Sequence, residues 1–322
     1  MSFIISRGSF KIDSLGNASR GREVTDLTTR PLSRASGWFG CLYWTETPPQ
    51  ARDSGGTPSG REDTIGGLPC YIAEPSSSSS SESSSNSSKS AAVVFLVDIF
   101  GWKFKNVRLL ADQYAAAGFK CYIPDVHEGD SLPIEFLQSV EPPLKQKEQE
   151  GMLAKAKETV DVMATLGPWL AKHREGVSEP IISGFINTVR NTPGVDKIGA
   201  IGFCWGGRYA ILQAHKRGEG QIGGVDAAYA CHPSLLSIPA DIEPVAKPLS
   251  VAVGEKDSLL DMKSVDQMKE VLDKTGVPTE VKVYKDQVHG FALRSDWSSD
   301  EDKKAMDDAE KQGIEWFKKY LS

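Results

Sequence analysis

The sequence predicts an α/β domain: a mostly parallel central sheet with helices on both faces. Three observations carry this. From residue 91 onward, short apolar runs alternate with segments of helical period, which is the pattern of strands and crossover helices. Runs such as Val93–Val97 are continuously apolar, as expected of a strand buried on both faces. Gly118, Gly218 and Gly276 close helical segments, at the position where a left-handed residue commonly ends a helix.

Taken in order, Leu68–Ala73 and Ala91–Val97 are strand-like runs. Between them, residues 76–90 read SSSSSSESSSNSSKS. Nothing there can be buried, so the tract is expected to be a long disordered loop between two strands of one sheet. Val107, Leu110, Ala111, Tyr114 and Ala115 recur at helical spacing. Lys120–Pro124 is the next strand. Met152, Ala156, Val160, Met163 and Leu170 mark a long helix, expected to break near Gly167-Pro168. Lys197–Phe203 is a strand and Trp205–Arg217 a helix; Gly223–Ala230 and Leu249–Val253 are strands; Met262–Thr275 is a helix and Glu280–Tyr284 the last strand. Ser299 caps a final helix that opens with Asp300, Glu301 and Asp302 and closes with Lys318 and Lys319, matching the helix dipole. Its buried stripe is Met306, Ala309, Gly313, Trp316, Phe317 and Tyr320.

The chain has 322 residues and is 39% hydrophobic, enough for a sizeable core in one domain. The domain is expected over 38–322. Residues 1–37 show no period and hold six basic residues against three acids; they are expected to be a disordered extension. A net charge of −6 with no evident basic face argues against nucleic acid as a partner. The five cysteines are odd in number and form no CxxC pair, which argues against a disulfide framework or a zinc site and for reduced thiols in an intracellular compartment. A cytoplasmic location is therefore expected, with a mitochondrial presequence in 1–37 as the alternative. No apolar run reaches the length of a membrane span. The oligomeric expectation is a monomer or a homodimer.

The sharpest local signal is Gly202-Phe203-Cys204-Trp205-Gly206-Gly207, between a predicted strand and a predicted helix. This is the context of a nucleophile elbow, with cysteine in the place usually held by serine. A nucleophile on such a turn is strained, and side chains two residues before and after it would collide with neighbouring backbone, hence Gly202 and Gly206. A thiol at a helix N-terminus is favoured as thiolate. Taken alone, the pattern also fits a buried structural cysteine among packing glycines. An elbow needs a base and an acid, and in α/β-hydrolases they follow in the order nucleophile, acid, histidine. Asp257 and His289 each come just after a predicted strand and in that order, where open α/β sheets place their sites. Glu255 competes with Asp257. His232, after another strand, reads as a pocket-wall or structural residue; His127, His173 and His215 read as surface residues.

With these residues in place, the chain resembles the dienelactone hydrolase (carboxymethylenebutenolidase) family of α/β-hydrolases, its fungal branch most of all. The likeness runs from residue 57 to 322. It rests on Gly202 to Gly207, Gly254-Glu255-Lys256-Asp257 and His289-Gly290-Phe291, together with Val97-Asp98-Ile99-Phe100-Gly101 and Asn106 to Asp112. The resemblance implies an α/β-hydrolase fold and the triad Cys204, Asp257 and His289. It implies an oxyanion hole from the backbone N–H groups of Ile99 and Trp205, and a carboxylate at Asp98 that gates the resting thiol. Two departures stand out. Where family enzymes active on dienelactone carry two arginines that hold the substrate carboxylate, this chain has Gly129 and Leu293. Arg294, next to Leu293, is the candidate substitute for substrate binding. Loss of a bidentate clamp weakens carboxylate recognition, which tells against dienelactone itself.

The expected activity is hydrolysis of a small-molecule ester or lactone through a thioester on Cys204, with no metal or organic cofactor. The alternatives are a binding or scaffold protein that keeps the hydrolase shape without catalysis, and a thiol redox sensor at Cys204.

Overall fold

The computed structural model describes residues 56–75, 90–136, 164–218, 220–221, 223–295 and 299–322. Eight strands form one sheet: β1 (Arg61–Ile65), β2 (Leu68–Ala73), β3 (Ser90–Leu96), β4 (Lys120–Pro124), β5 (Val195–Phe203), β6 (Ala227–Cys231), β7 (Leu249–Gly254) and β8 (Thr279–Tyr284). Their spatial order is β1-β2-β4-β3-β5-β6-β7-β8. β4 through β8 run parallel, while β1 and β2 are antiparallel additions at one edge. From β3 the chain crosses to β4 on one side and β5 on the other, so the strand order reverses there. Open sheets offer a crevice at such a point, beyond the strand C-termini.

The helices are α1 (Lys105–Ala116), α2 (Glu175–Arg190), α3 (Trp205–Gln213), α4 (Met262–Leu272), the short α5 (Phe291–Arg294) and α6 (Asp300–Leu321), with a further helical stretch over 164–172. Strand register shows how they cover both faces. Val93 and Gly199 are paired, as are Phe95 and Ile201. On that face Phe95 packs edge-on to Tyr114 of α1, and Gly199 lies under Phe317 of α6. Val94 alternates to the opposite face, where its partner Tyr122 packs edge-on to Phe185 of α2. Ala92 to Val97 are all buried, the burial on both sides that a continuously apolar run requires.

The Ser299 side chain caps α6 by accepting from the Asp302 N–H at 3.2 Å. Met306, Ala309, Gly313, Trp316 and Phe317 of its stripe are buried, with Tyr320 half-buried. Gly313 is required by close approach, because a Cβ there would lie 2.0 Å from the Tyr114 hydroxyl.

Several expectations need correction. The helical stretch 164–172 passes through Gly167 and Pro168 and ends at His173; Met152 to Met163 lie outside the described residues. α3 stops at Gln213, not Arg217, because His215 leaves the helix to form a β-bridge with Val245. α4 ends at Leu272, and the predicted strand 223–230 narrows to β6, Ala227–Cys231. β1 and α2 were not expected. β1 is almost wholly exposed, so it carries no apolar period, and Pro180 interrupts the helical signal of α2. The expected extension 1–37 and nearly all of the serine tract 76–90 lie outside the described residues; Ser90 already belongs to β3. No helix among the described residues is long and apolar enough to cross a membrane.

Candidate active site

Cys204 is the residue between β5 and α3, with φ 52° and ψ −115°. A non-glycine residue there is strained by about 1–3 kcal/mol and persists only where its surroundings over-determine it. Here they do. The Cys204 N–H donates to the Cys231 carbonyl at 3.1 Å, and the Cys204 carbonyl accepts from the Gly207 and Ser234 N–H groups, both at 3.0 Å. The flanking glycines permit the turn. A Cβ on Gly202 would lie 2.1 Å from the Gly206 carbonyl oxygen, and one on Gly206 would lie 2.1 Å from that of Leu96. The Cys204 Sγ has the Ser234 hydroxyl at 3.5 Å.

Asp257 and His289 come from the loops after β7 and β8. Backbone bonds knit these loops together: Glu255 N–H to the Tyr284 carbonyl at 2.9 Å, and Lys256 N–H to the Gln287 carbonyl at 2.8 Å. Gly254 allows the approach, since a Cβ there would meet the Gln287 carbonyl oxygen at 2.4 Å. His289 Nδ1 lies 3.0 and 2.9 Å from the two Asp257 carboxylate oxygens, and both side chains are buried. The Asp257 carboxylate also accepts from the N–H groups of Leu259 and Leu260 at 2.8 and 3.2 Å. This fixes the acid and with it the imidazole plane. Glu255, the competing acid, is exposed and accepts instead from the Asp286 N–H at 2.9 Å.

Cys204 and His289 line one cavity of about 420 Å³, within the usual range for small-molecule sites. Ile99, Trp205 and Arg294 line it too. The Asp98 carboxylate accepts from the Phe100 N–H at 2.9 Å and pairs with the buried Arg294 guanidinium. The other described thiols are poor nucleophile candidates. Burial pushes Cys70 and Cys231 up to about 12, and Cys121 well above its ordinary value.

Three histidines expected at the surface are not there. His127 and His173 are buried, and His215 is half-buried with Nε2 at 2.7 Å from the Asp241 carbonyl. His127 and His173 join Trp169 in a ring cluster behind Trp205; the His127 and Trp205 centroids are 4.9 Å apart. Burial takes the His127 pKa down to about 3, so its ring stays neutral. His173 is anchored by Asp130 at 2.9 Å. The cluster supports the residue after the elbow. The Trp169 to His173 spacing on a helix was its one sequence signal. His232 is fully buried and packs edge-on against His289, with centroids 5.0 Å apart. Ser234 was not foreseen, because its place beside Cys204 follows from the path of the chain after β6. Among the described residues no group of three or more His, Cys, Asp or Glu could hold a metal ion.

A largely parallel eight-stranded sheet, with a strained residue at a strand-to-helix turn and an Asp–His pair on later loops, defines the α/β-hydrolase fold. The chain belongs to the dienelactone hydrolase family, whose model matches residues 80–321. The hydrolase pyvD of Aspergillus violaceofuscus is 26% identical over 266 residues, covering 83% of this chain and 92% of that protein. The carboxymethylenebutenolidase homolog of Xenopus tropicalis is 27% identical over 273 residues, covering 82% and 92%. Among solved structures, the dienelactone hydrolase of Anabaena variabilis superposes with a TM-score of 0.52 at 16% identity, covering 81% of this chain and 96% of that one.

Proposed function

We propose that this chain hydrolyses a small-molecule ester or lactone, with Cys204 as nucleophile, His289 as acid–base and Asp257 as the group that orients it. The observation that carries the reading is the joint placement of a strained Cys204 and an Asp257-bonded His289 on one cavity. His289 takes the proton of the Cys204 thiol, the thiolate adds to the carbonyl carbon, and backbone N–H groups of Ile99 and Trp205 take up the charge on the carbonyl oxygen. Collapse breaks the C–O bond, and the leaving alkoxide receives a proton from His289. The result is a thioester on Cys204. His289 then removes a proton from water, which attacks the thioester; the acid leaves and the thiol is restored. Asp98, paired with Arg294 and accepting from the Phe100 N–H, would gate the resting thiol through its charge, and Arg294 lines the cavity that would take the substrate.

A panel of lactones and short-chain esters tests this on the wild-type protein. Several members should be hydrolysed, and alkylation of Cys204 by iodoacetamide should stop turnover, with substrate slowing the alkylation. A chain that hydrolyses no member would instead be a binding protein on a hydrolase scaffold, and one as active after alkylation would be a hydrolase whose nucleophile is not Cys204.

A further inference from the structure

We infer, resting on the hydrolase reading above, that the substrate is a neutral ester or lactone with an apolar substituent beside the scissile carbonyl, gripped by a leucine collar around the cavity. Leu166, Leu170, Leu235, Leu236, Leu259 and Leu260 all line it. Two of them are anomalous. Leu235 is 55% exposed and Leu259 53% exposed, and each lies at the cavity. Burying such a side chain gains about 1.5–3 kcal/mol, so an apolar substituent that covers the two would be held by that contact.

Leu235 is also at φ 59°, a conformation a leucine adopts only at a cost. Its neighbours hold it there: the Ser234 N–H donates to the Cys204 carbonyl at 3.0 Å, and the Ser237 N–H donates to Asp241 at 2.9 Å. Arg208 fixes Asp241 in turn at 2.7 Å. Leu259 is held by its own N–H bond to Asp257. Both exposed leucines are thus fastened through backbone bonds to Cys204 or Asp257, which suits a collar registered to the scissile bond.

Charge points the same way. Among the described lining residues no Asp or Glu appears, and Arg294 is the one Lys or Arg. Its side chain is 3% exposed and is paired with Asp98. An anionic substrate would have to compete with that buried carboxylate or enter an apolar cavity unpaired, and either is costly.

The test uses the full chain and two ester series, p-nitrophenyl acetate to hexanoate and ethyl to hexyl acetate, with p-nitrophenyl hydrogen succinate as the charged counterpart of the butyrate. We expect kcat/KM to rise in at least one series by up to about four-fold per buried methylene. The succinate should fall at least about ten-fold below the butyrate. Leu259→Ser and Leu235→Ser should each flatten the responding series, cutting its long-to-short ratio by about three-fold or more. Flat or falling profiles in both series, a preference for the succinate, or an unchanged ratio in both variants would overturn the collar while leaving ester hydrolysis standing. No turnover of any ester, nor of any lactone in the panel above, would overturn the hydrolase reading itself.

Discussion

Cys204→Ala is expected to lower kcat for an activated ester by about 10⁴-fold or more, while the fold persists. The magnitude follows from what the change removes. A covalent route loses its nucleophile, and only binding and the oxyanion donors are left, which for such machinery retain a small residue of the rate. The fold should persist because the backbone turn at Cys204 is held by bonds from its N–H and carbonyl, none of which involve Sγ. Alanine leaves only a small void at a residue that borders a cavity. Asp257→Asn should act in the same direction, by up to about 10⁴-fold, because the amide cannot hold Nδ1 as a carboxylate does and favours the wrong tautomer. Steady-state kinetics with thermal unfolding of each variant checks both parts. If Cys204→Ala keeps a tenth of the turnover, the nucleophile is some other group.

Gly206→Ala is expected to cost more than about 3 kcal/mol of stability and lower Tm by more than about 6 °C. The added methyl would lie 2.1 Å from the Leu96 carbonyl oxygen and 2.5 Å from that of Val97. Both are backbone atoms of β3 and its continuation, at the centre of the sheet, so neither can rotate away as a side-chain tip could. Relief requires α3 to lift from the sheet, and that would move Cys204 as well. Gly184→Ala provides the contrast. It lies inside α2 with nothing within 4 Å of the new methyl, so alanine there should be neutral or stabilising by up to about 1 kcal/mol. Differential scanning calorimetry of the two variants separates a steric requirement at the elbow from a general cost of losing glycine.

What could be read in the sequence follows from where the information is local. β3 and β4 were legible because both faces of these strands are buried, so their residues are apolar whatever surrounds them. The elbow was legible because backbone collisions force glycine two residues either side of Cys204. Asp257 and His289 were found through chain order and strand ends, although the bond between them is a contact across 32 residues. β1 escaped because an exposed edge strand carries no apolar period. His127 and His173 were misplaced for the opposite reason. Trp169 and Trp205 reach His127 from distant segments, which an isolated histidine does not announce, and for His173 only the spacing to Trp169 is local. The same limit applies to Leu235 and Leu259, which look like ordinary core leucines until the fold exposes them.

In the proposed reaction the acyl group passes through the sulfur of Cys204. Acid quenching during turnover of a p-nitrophenyl ester, followed by peptide mass spectrometry, tests it directly. An acyl adduct is expected on the peptide containing Cys204, labile to hydroxylamine as a thioester. An adduct on Ser234, the hydroxyl 3.5 Å away, would contradict it.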